Sequence, residues 1–247
     1  MARRVALVTG SSRGLGAAIA QRLARDGLAV AVNGRRDSAE LAAVVERIRA
    51  EGGVAEGFPA DVTDEDSVGR LVAAVSERLG PVAVLVLNAT GPQPEGLVAE
   101  VGWAEHLAQL DFFVKSPILL GRAVIPGMRE RGFGRIVQID SDIADRSGPG
   151  RSAYATAKNA QIGLTRSWAR ELAADGITVN TIAPCFIPVE RHAGVAATER
   201  ADYVARTPVG RLGKPDDIAH AVSFFAAAAT GFVTGQRLVV DGGRALG

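Results

Sequence analysis

The chain has a single cysteine, Cys185, in 247 residues. That excludes an internal disulfide, and a lone thiol fits a reducing compartment. Histidine occurs three times, as His106, His192 and His220. None stands at metal-ligand spacing with another histidine or with the cysteine, so no resident metal is expected. Long apolar runs are missing too: even AVSFFAAAA near the C-terminus is too short to span a bilayer. The start, MARRVALVTG, runs into a short apolar strand and a glycine turn rather than the apolar core of a signal peptide. A cytoplasmic location is therefore expected. Twenty-eight basic residues offset 27 acidic ones, a net charge of +1, which favours neither nucleic acid nor an anionic membrane as partner.

An apolar fraction of 47% with 22% charged residues is ordinary for a water-soluble globular chain, and the length suffices for a sizeable core. Compact apolar runs at 5–8, 29–33, 54–59, 82–87, 134–140, 177–182 and 237–240 read as strands. Helical periodicity places helices at about 14–25, 38–51, 64–79, 103–131, 152–175 and 215–227. Strand-helix alternation predicts an α/β fold, a doubly wound Rossmann-type sheet of seven parallel strands with helices on both faces. No linker or composition break interrupts it, so 1–247 reads as one domain.

The first strand passes into the first helix through TGSSRGLG, residues 9–16. Glycines at 10, 14 and 16 permit a sharp turn and let backbone N–H groups and a helix N-terminus approach a diphosphate. The position, after a first strand and opening a first helix, makes this a dinucleotide signal. Gly34 and Arg35 follow the second strand, where an acidic residue would select NAD and an arginine accommodates a 2′-phosphate. With Arg13 in the first turn, NADP(H) is the expected cofactor.

Tyr154 and Lys158 are four apart on the helix at 152–175, hence on one face. Bringing a tyrosine from about 10 to about 7 takes roughly 4 kcal/mol. One ammonium about 4 Å away supplies that much at an effective dielectric near 20. Ser141, at the end of the preceding strand, can offer its hydroxyl to the same substrate oxygen. Tyrosine and lysine at this spacing occur on many helices, so the pair gains meaning only beside the dinucleotide turn.

With these residues in view, nearly the whole chain resembles the short-chain dehydrogenase/reductase family, and within it the 3-oxoacyl-carrier-protein reductases. TGSSRGLG resembles the family's cofactor turn, Asp61-Val62 its adenine-holding dipeptide, and Asn88-Ala89-Thr90-Gly91 a weakened form of its Asn-Asn-Ala-Gly strand end. Ser141, Tyr154 and Lys158 fall at its catalytic spacing, and GRLGKPDDIA and TGQRLVVDGG resemble its C-terminal signature. The resemblance implies hydride transfer between NADP(H) and a ketone or secondary alcohol, such as a 3-oxoacyl thioester. Ser141, Tyr154 and Lys158 would be catalytic. Gly10, Ser12, Arg13, Gly14, Leu15, Gly16, Arg35, Asp61, Val62, Asn88, Ile187, Tyr154 and Lys158 would hold the cofactor. It also implies a substrate lid at about 186–210 and a homotetramer packed through the two long helices.

The sequence departs from the family at three places. The Asn that links the lysine to solvent is replaced: counting back from Ser141 gives Phe113, counting forward from Trp103 gives about Leu110. Pro184-Cys185 stands where Pro-Gly is usual, and Cys185 reads as a packed residue rather than a nucleophile. Val189 replaces a threonine near the nicotinamide. These changes keep open a non-redox enzyme on the same scaffold, a dehydratase, isomerase or cyclase, or a cofactor-binding protein without turnover.

Overall fold

The computed structural model describes residues 3–246, apart from the side chain of Arg191. Seven parallel strands form one sheet: β1 (Val5–Val8), β2 (Ala29–Gly34), β3 (Val54–Pro59), β4 (Val82–Leu87), β5 (Gly134–Ile139), β6 (Ile177–Pro184) and β7 (Arg237–Val240). Their order is β3-β2-β1-β4-β5-β6-β7. The chain winds outward from β1 in one direction, then from β4 in the other, leaving a crevice between the carboxyl ends of β1 and β4.

Both faces of the sheet are covered, which is why the strands are continuous apolar runs. Alternate side chains divide between two cores. Ala6 and Val8 face the layer of α1 (Gly14–Arg25), α2 (Ala39–Ala50) and α8 (Pro215–Ala226), with Ile19, Leu23, Val44, Ile48, Ile218 and Val222. Val5 and Leu7 face α3 (Glu65–Arg78), α5 (Ser116–Glu130) and α6 (Ser152–Leu172), with Leu71, Val75, Leu120, Met128 and Leu172.

Two elements differ from the expected pattern. The helix expected at 103–131 is three pieces: α4 (Trp103–Leu110), a π-helical turn (Asp111–Lys115) and α5. A π turn inserts a residue without ending the helix, so apolar periodicity carries across it and does not reveal it. In the expected lid, α7 (Ala197–Ala205) forms a further helix, whose fully buried positions are none and whose sequence pattern is correspondingly faint.

The start of α8 is fixed by Asp217. Its Oδ2 accepts from the Lys214 N–H at 2.7 Å, and both its oxygens accept from the Arg211 guanidinium at 2.7 and 2.9 Å. The Arg211 hydrogen bonds, foremost, hold its pKa down to about 2. A depressed carboxylate contributes stability that is complete above the unfolded value and lost as the pH falls through the folded one. Asp217→Asn is therefore expected to lower Tm by about 2–4 °C at pH 7, the loss of about 1 kcal/mol of capping. Melts at decreasing pH should show the difference closing toward pH 2; a difference that persists there would contradict the assignment.

Candidate active site

The glycine turn is fixed by side chains from neighbouring strand ends. Asn33, at the end of β2, accepts from the Gly10 N–H at 3.2 Å and donates to Phe58 O and Ala60 O beyond it. Ser11 Oγ donates to Val8 O at 2.6 Å and accepts from the Asn33 N–H at 2.9 Å. Asn88, past the end of β4, donates to Thr9 O and Gly10 O at 2.9 and 3.0 Å. The first turn of α1 has no side-chain cap and contains no acidic residue of its own, although the Glu190 carboxylate lies close to Gly14; its backbone N–H groups retain donor capacity and the positive end of the helix dipole.

Bare backbone is required here. Gly10 and Gly14 have φ of +61° and +56°, the left-handed region. A Cβ on Gly10 would lie 2.8 Å from the Ala89 Cα, and one on Gly16 would lie 2.3 Å from the Gly10 carbonyl oxygen. The turn and helix thus meet without intervening side chains, an arrangement that fits a dinucleotide diphosphate. Ser12 and Leu15 flank it half-buried, and Arg13 is exposed beside it. Arg35 and Asp61, past the ends of β2 and β3, form an ion pair at 3.0 Å with Arg35 71% exposed. The Thr63 hydroxyl above all, with its N–H and the Arg35 guanidinium, holds the Asp61 carboxyl below its usual range. Val62 is buried behind it.

On the other side of the crevice, β5 ends at Ile139 and Ser141 caps a 3-10 turn (Asp142–Ala144), its Oγ accepting from the Ile143 N–H at 3.3 Å. Tyr154 and Lys158 lie in the first two turns of α6. Lys158 is 3% exposed. Its Nζ donates to Ile139 O at 2.8 Å and to Gln161 Oε1 at 3.0 Å. The ammonium also sits 3.7 Å from the centre of the Phe113 ring and 5.6 Å from that of Tyr154, and the Phe113 and Tyr154 rings meet edge to face at 5.5 Å. Of the two positions reached by counting, Phe113 faces the lysine. The π turn carries it there, and its ring supplies a cation–π contact where the family resemblance implies an amide.

All the expected site residues lie at the carboxyl ends of β1 to β6. The Ile187 side chain is buried in the core, and Val189 packs near Gly14. Cys185 is also buried; burial chiefly pushes its thiol above its usual range, consistent with a packing role. Tyr203 from α7 accepts the Phe186 N–H at 2.9 Å, and Phe186 also meets the His192 ring at 4.9 Å. The Val189 N–H bonds His192 Nδ1 at 3.2 Å, so that imidazole caps its own loop. Among the described residues no cluster of metal-ligating side chains occurs, and no helix is long and apolar enough to cross a membrane. Sequence reasoning missed Gln161 and Asn33. Gln161, three residues past Lys158 on the same helical face, was the more accessible of the two.

A family profile described as enoyl-(acyl carrier protein) reductase matches residues 10–245. Short-chain reductase protein NovJ of Streptomyces niveus is 39% identical, covering 97% of this chain and 93% of its own. The 3-oxoacyl-acyl-carrier-protein reductase FabG of Vibrio cholerae is 36% identical, covering 97% and 96%. The crystal structure of a gluconate 5-dehydrogenase from Burkholderia cenocepacia in complex with NADP and tartrate superposes with a TM-score of 0.92 at 32% identity, covering 100% and 97%. The chain belongs to the short-chain dehydrogenase/reductase family, oxidoreductases acting on CH–OH and C=O groups.

Proposed function

We propose that this chain is an NADP(H)-dependent ketone reductase, working reversibly on a secondary alcohol. The observation that carries the reading is the placement of Lys158: a buried ammonium, fixed to the carboxyl end of β5 and one helical turn from Tyr154, across the crevice from a bare glycine turn. NADPH, when bound, supplies a hydride to the substrate carbonyl carbon. Tyr154 gives a proton to the carbonyl oxygen in reduction and takes it back in oxidation. Ser141 holds that oxygen by a hydrogen bond. Lys158 stabilises the phenolate electrostatically and binds the nicotinamide ribose.

Gly10, Ser12, Arg13, Gly14, Leu15 and Gly16 hold the diphosphate, Asp61 and Val62 the adenine, and Asn88 and Ile187 the nicotinamide end. Arg35 takes the 2′-phosphate. Its exposed pair with Asp61 is worth at most about 1 kcal/mol, so exchanging partner costs little. Arg35→Ala is accordingly expected to raise the KM for NADPH about tenfold or more, the loss of a charge-assisted hydrogen bond, and to leave that for NADH within about twofold. Equal effects on both cofactors would remove Arg35 from the site.

The segment 186–210 closes over the substrate, its base pinned by Tyr203 to Phe186. The names of the relatives support a 3-oxoacyl thioester or a related ketone as substrate. Exposed Trp103 and Leu107 on α4, with Phe224 and Phe232 near the end of α8, support a homotetramer. The test is NADPH oxidation with acetoacetyl-CoA and 5-oxogluconate as probes, with product analysis. Stoichiometric oxidation upholds the reading; no turnover of either probe or of a wider ketone panel overturns it. Product formed with the cofactor unchanged would favour a dehydratase, isomerase or cyclase, a reading kept in view by the Phe113 ring over Lys158.

A further inference from the structure

Arg237 opens β7 beside Thr181 of β6, outside the groups considered above. Its side chain crosses to the end of β5 and spreads over one short segment. Nε donates to Asp140 Oδ2 at 2.6 Å, Nη1 to Asp145 Oδ2 at 2.5 Å, and Nη2 to the Ser141 carbonyl oxygen at 2.9 Å. Asp140 precedes Ser141, and Asp145 follows the turn that Ser141 caps. One planar guanidinium therefore grips both flanks of the serine and its own carbonyl, a pattern that lysine, a point donor, does not reproduce.

The Asp140 arm of this grip is enclosed, while the Asp145 arm is open to solvent. The Asp140 side chain is 0% exposed and that of Arg237 15%. Burial pushes the Asp140 carboxyl up, opposed by the charges of Lys158 and Arg237, and its Oδ1 has no hydrogen-bond partner among the described residues. Stability alone gives little reason for such a pair, since well-packed apolar side chains often serve as well or better. Geometry gives a reason. The Ser141 hydroxyl is held locally only by long contacts, 3.3 Å from the Ile143 N–H and 3.3 Å to Asp142 Oδ1. Its direction is therefore set by the backbone of 140–145, which Arg237 fixes from the neighbouring sheet edge.

We propose that Arg237 is a positioning residue for Ser141, its three-point grip on the 140–145 segment presenting the serine hydroxyl to the substrate oxygen. This rests on the proposed role of Ser141. The test is a double-mutant cycle, because a residue that acts only through Ser141 loses its effect once the hydroxyl is gone. Arg237→Met strands a buried carboxylate, so Asp140→Asn/Arg237→Met, which removes both charges together, is made alongside it as the variant better able to fold.

In the parent background each is expected to lower kcat for the best ketone probe about 10- to 100-fold, the usual consequence of misplacing a reacting group by an ångström or less. The KM for NADPH should stay within about twofold, and Arg237→Lys should recover only part of the loss. In a Ser141→Ala background the same changes should alter the residual kcat by less than about twofold. An unchanged kcat in the folded variants, or an equal loss with and without the serine hydroxyl, would overturn the proposal and leave the role of Ser141 standing. Wild-type activity in Ser141→Ala alone would instead overturn the reading of the site on which the proposal depends.

Discussion

Replacing Tyr154 with phenylalanine lowers kcat by about 10²- to 10⁴-fold, the range for removing a positioned general acid, and leaves NADPH affinity within about twofold. The expectation follows from how little else changes. The tyrosine ring is fixed by its edge-to-face contact with Phe113 at 5.5 Å, a contact phenylalanine retains, and the first turn of α6 has no side-chain cap that the substitution could remove. Lys158 keeps its bonds to Ile139 and Gln161, so the cofactor side of the site is untouched. The substitution removes the phenolic hydroxyl and keeps the ring. Steady-state kinetics with NADPH titrated separately by fluorescence distinguish the two effects. A variant that reduces ketones at the parental rate would exclude Tyr154 as the acid, and one that fails to bind NADPH would show that the hydroxyl serves the cofactor instead.

Gly16→Ala is expected to weaken NADPH binding about tenfold or more and to lower Tm by roughly 2–12 °C, corresponding to an overpacking cost of about 1–3 kcal/mol. Gly16 is not in the left-handed region; its constraint is space. An added Cβ would stand 2.3 Å from the Gly10 carbonyl oxygen, 2.6 Å from Asn88 Nδ2 and 2.8 Å from the Ser11 Cα. Two of these three atoms are backbone, and the third is the amide that ties the ends of β1 and β4 together. Relief requires α1 to move away from the turn, taking its N–H donors out of register with a diphosphate. Gly163→Ala is the control. It lies within α6 with nothing within 4 Å of its added Cβ, and should be neutral or stabilising by up to about 1 kcal/mol. Thermal melts and cofactor titration of the two variants side by side check both statements, and equal behaviour would show that the close approach at Gly16 is not what binds the cofactor.

Strand positions were legible because each buried strand is a block of apolar residues between polar boundaries, as in VALV and VAVLVL, and two-sided burial leaves that mark regardless of neighbours. The glycine turn was legible for a similar reason: its constraint is local backbone conformation, at φ +61° and +56°. The π turn before α5 was not, since it changes the angular phase of a helix without changing its composition. Counting residues therefore left Phe113 and Leu110 as rivals until the tertiary structure set the Phe113 ring 3.7 Å from the Lys158 ammonium. The grip of Arg237 on Ser141 joins residues 96 apart in the chain, and no periodicity relates them.

Residue pattern alone was enough for the alternation of seven strands with most of the helices, the glycine turn at 9–16 and the shared helical face of Tyr154 and Lys158, because burial, backbone freedom and helical pitch act over a few residues. The tertiary structure alone decided what surrounds those groups. Whether an ammonium meets an amide or an aromatic face, and which arginine reaches a serine's carbonyl, depends on how separate elements dock, and docking geometry is a property of the assembled sheet rather than of any one segment.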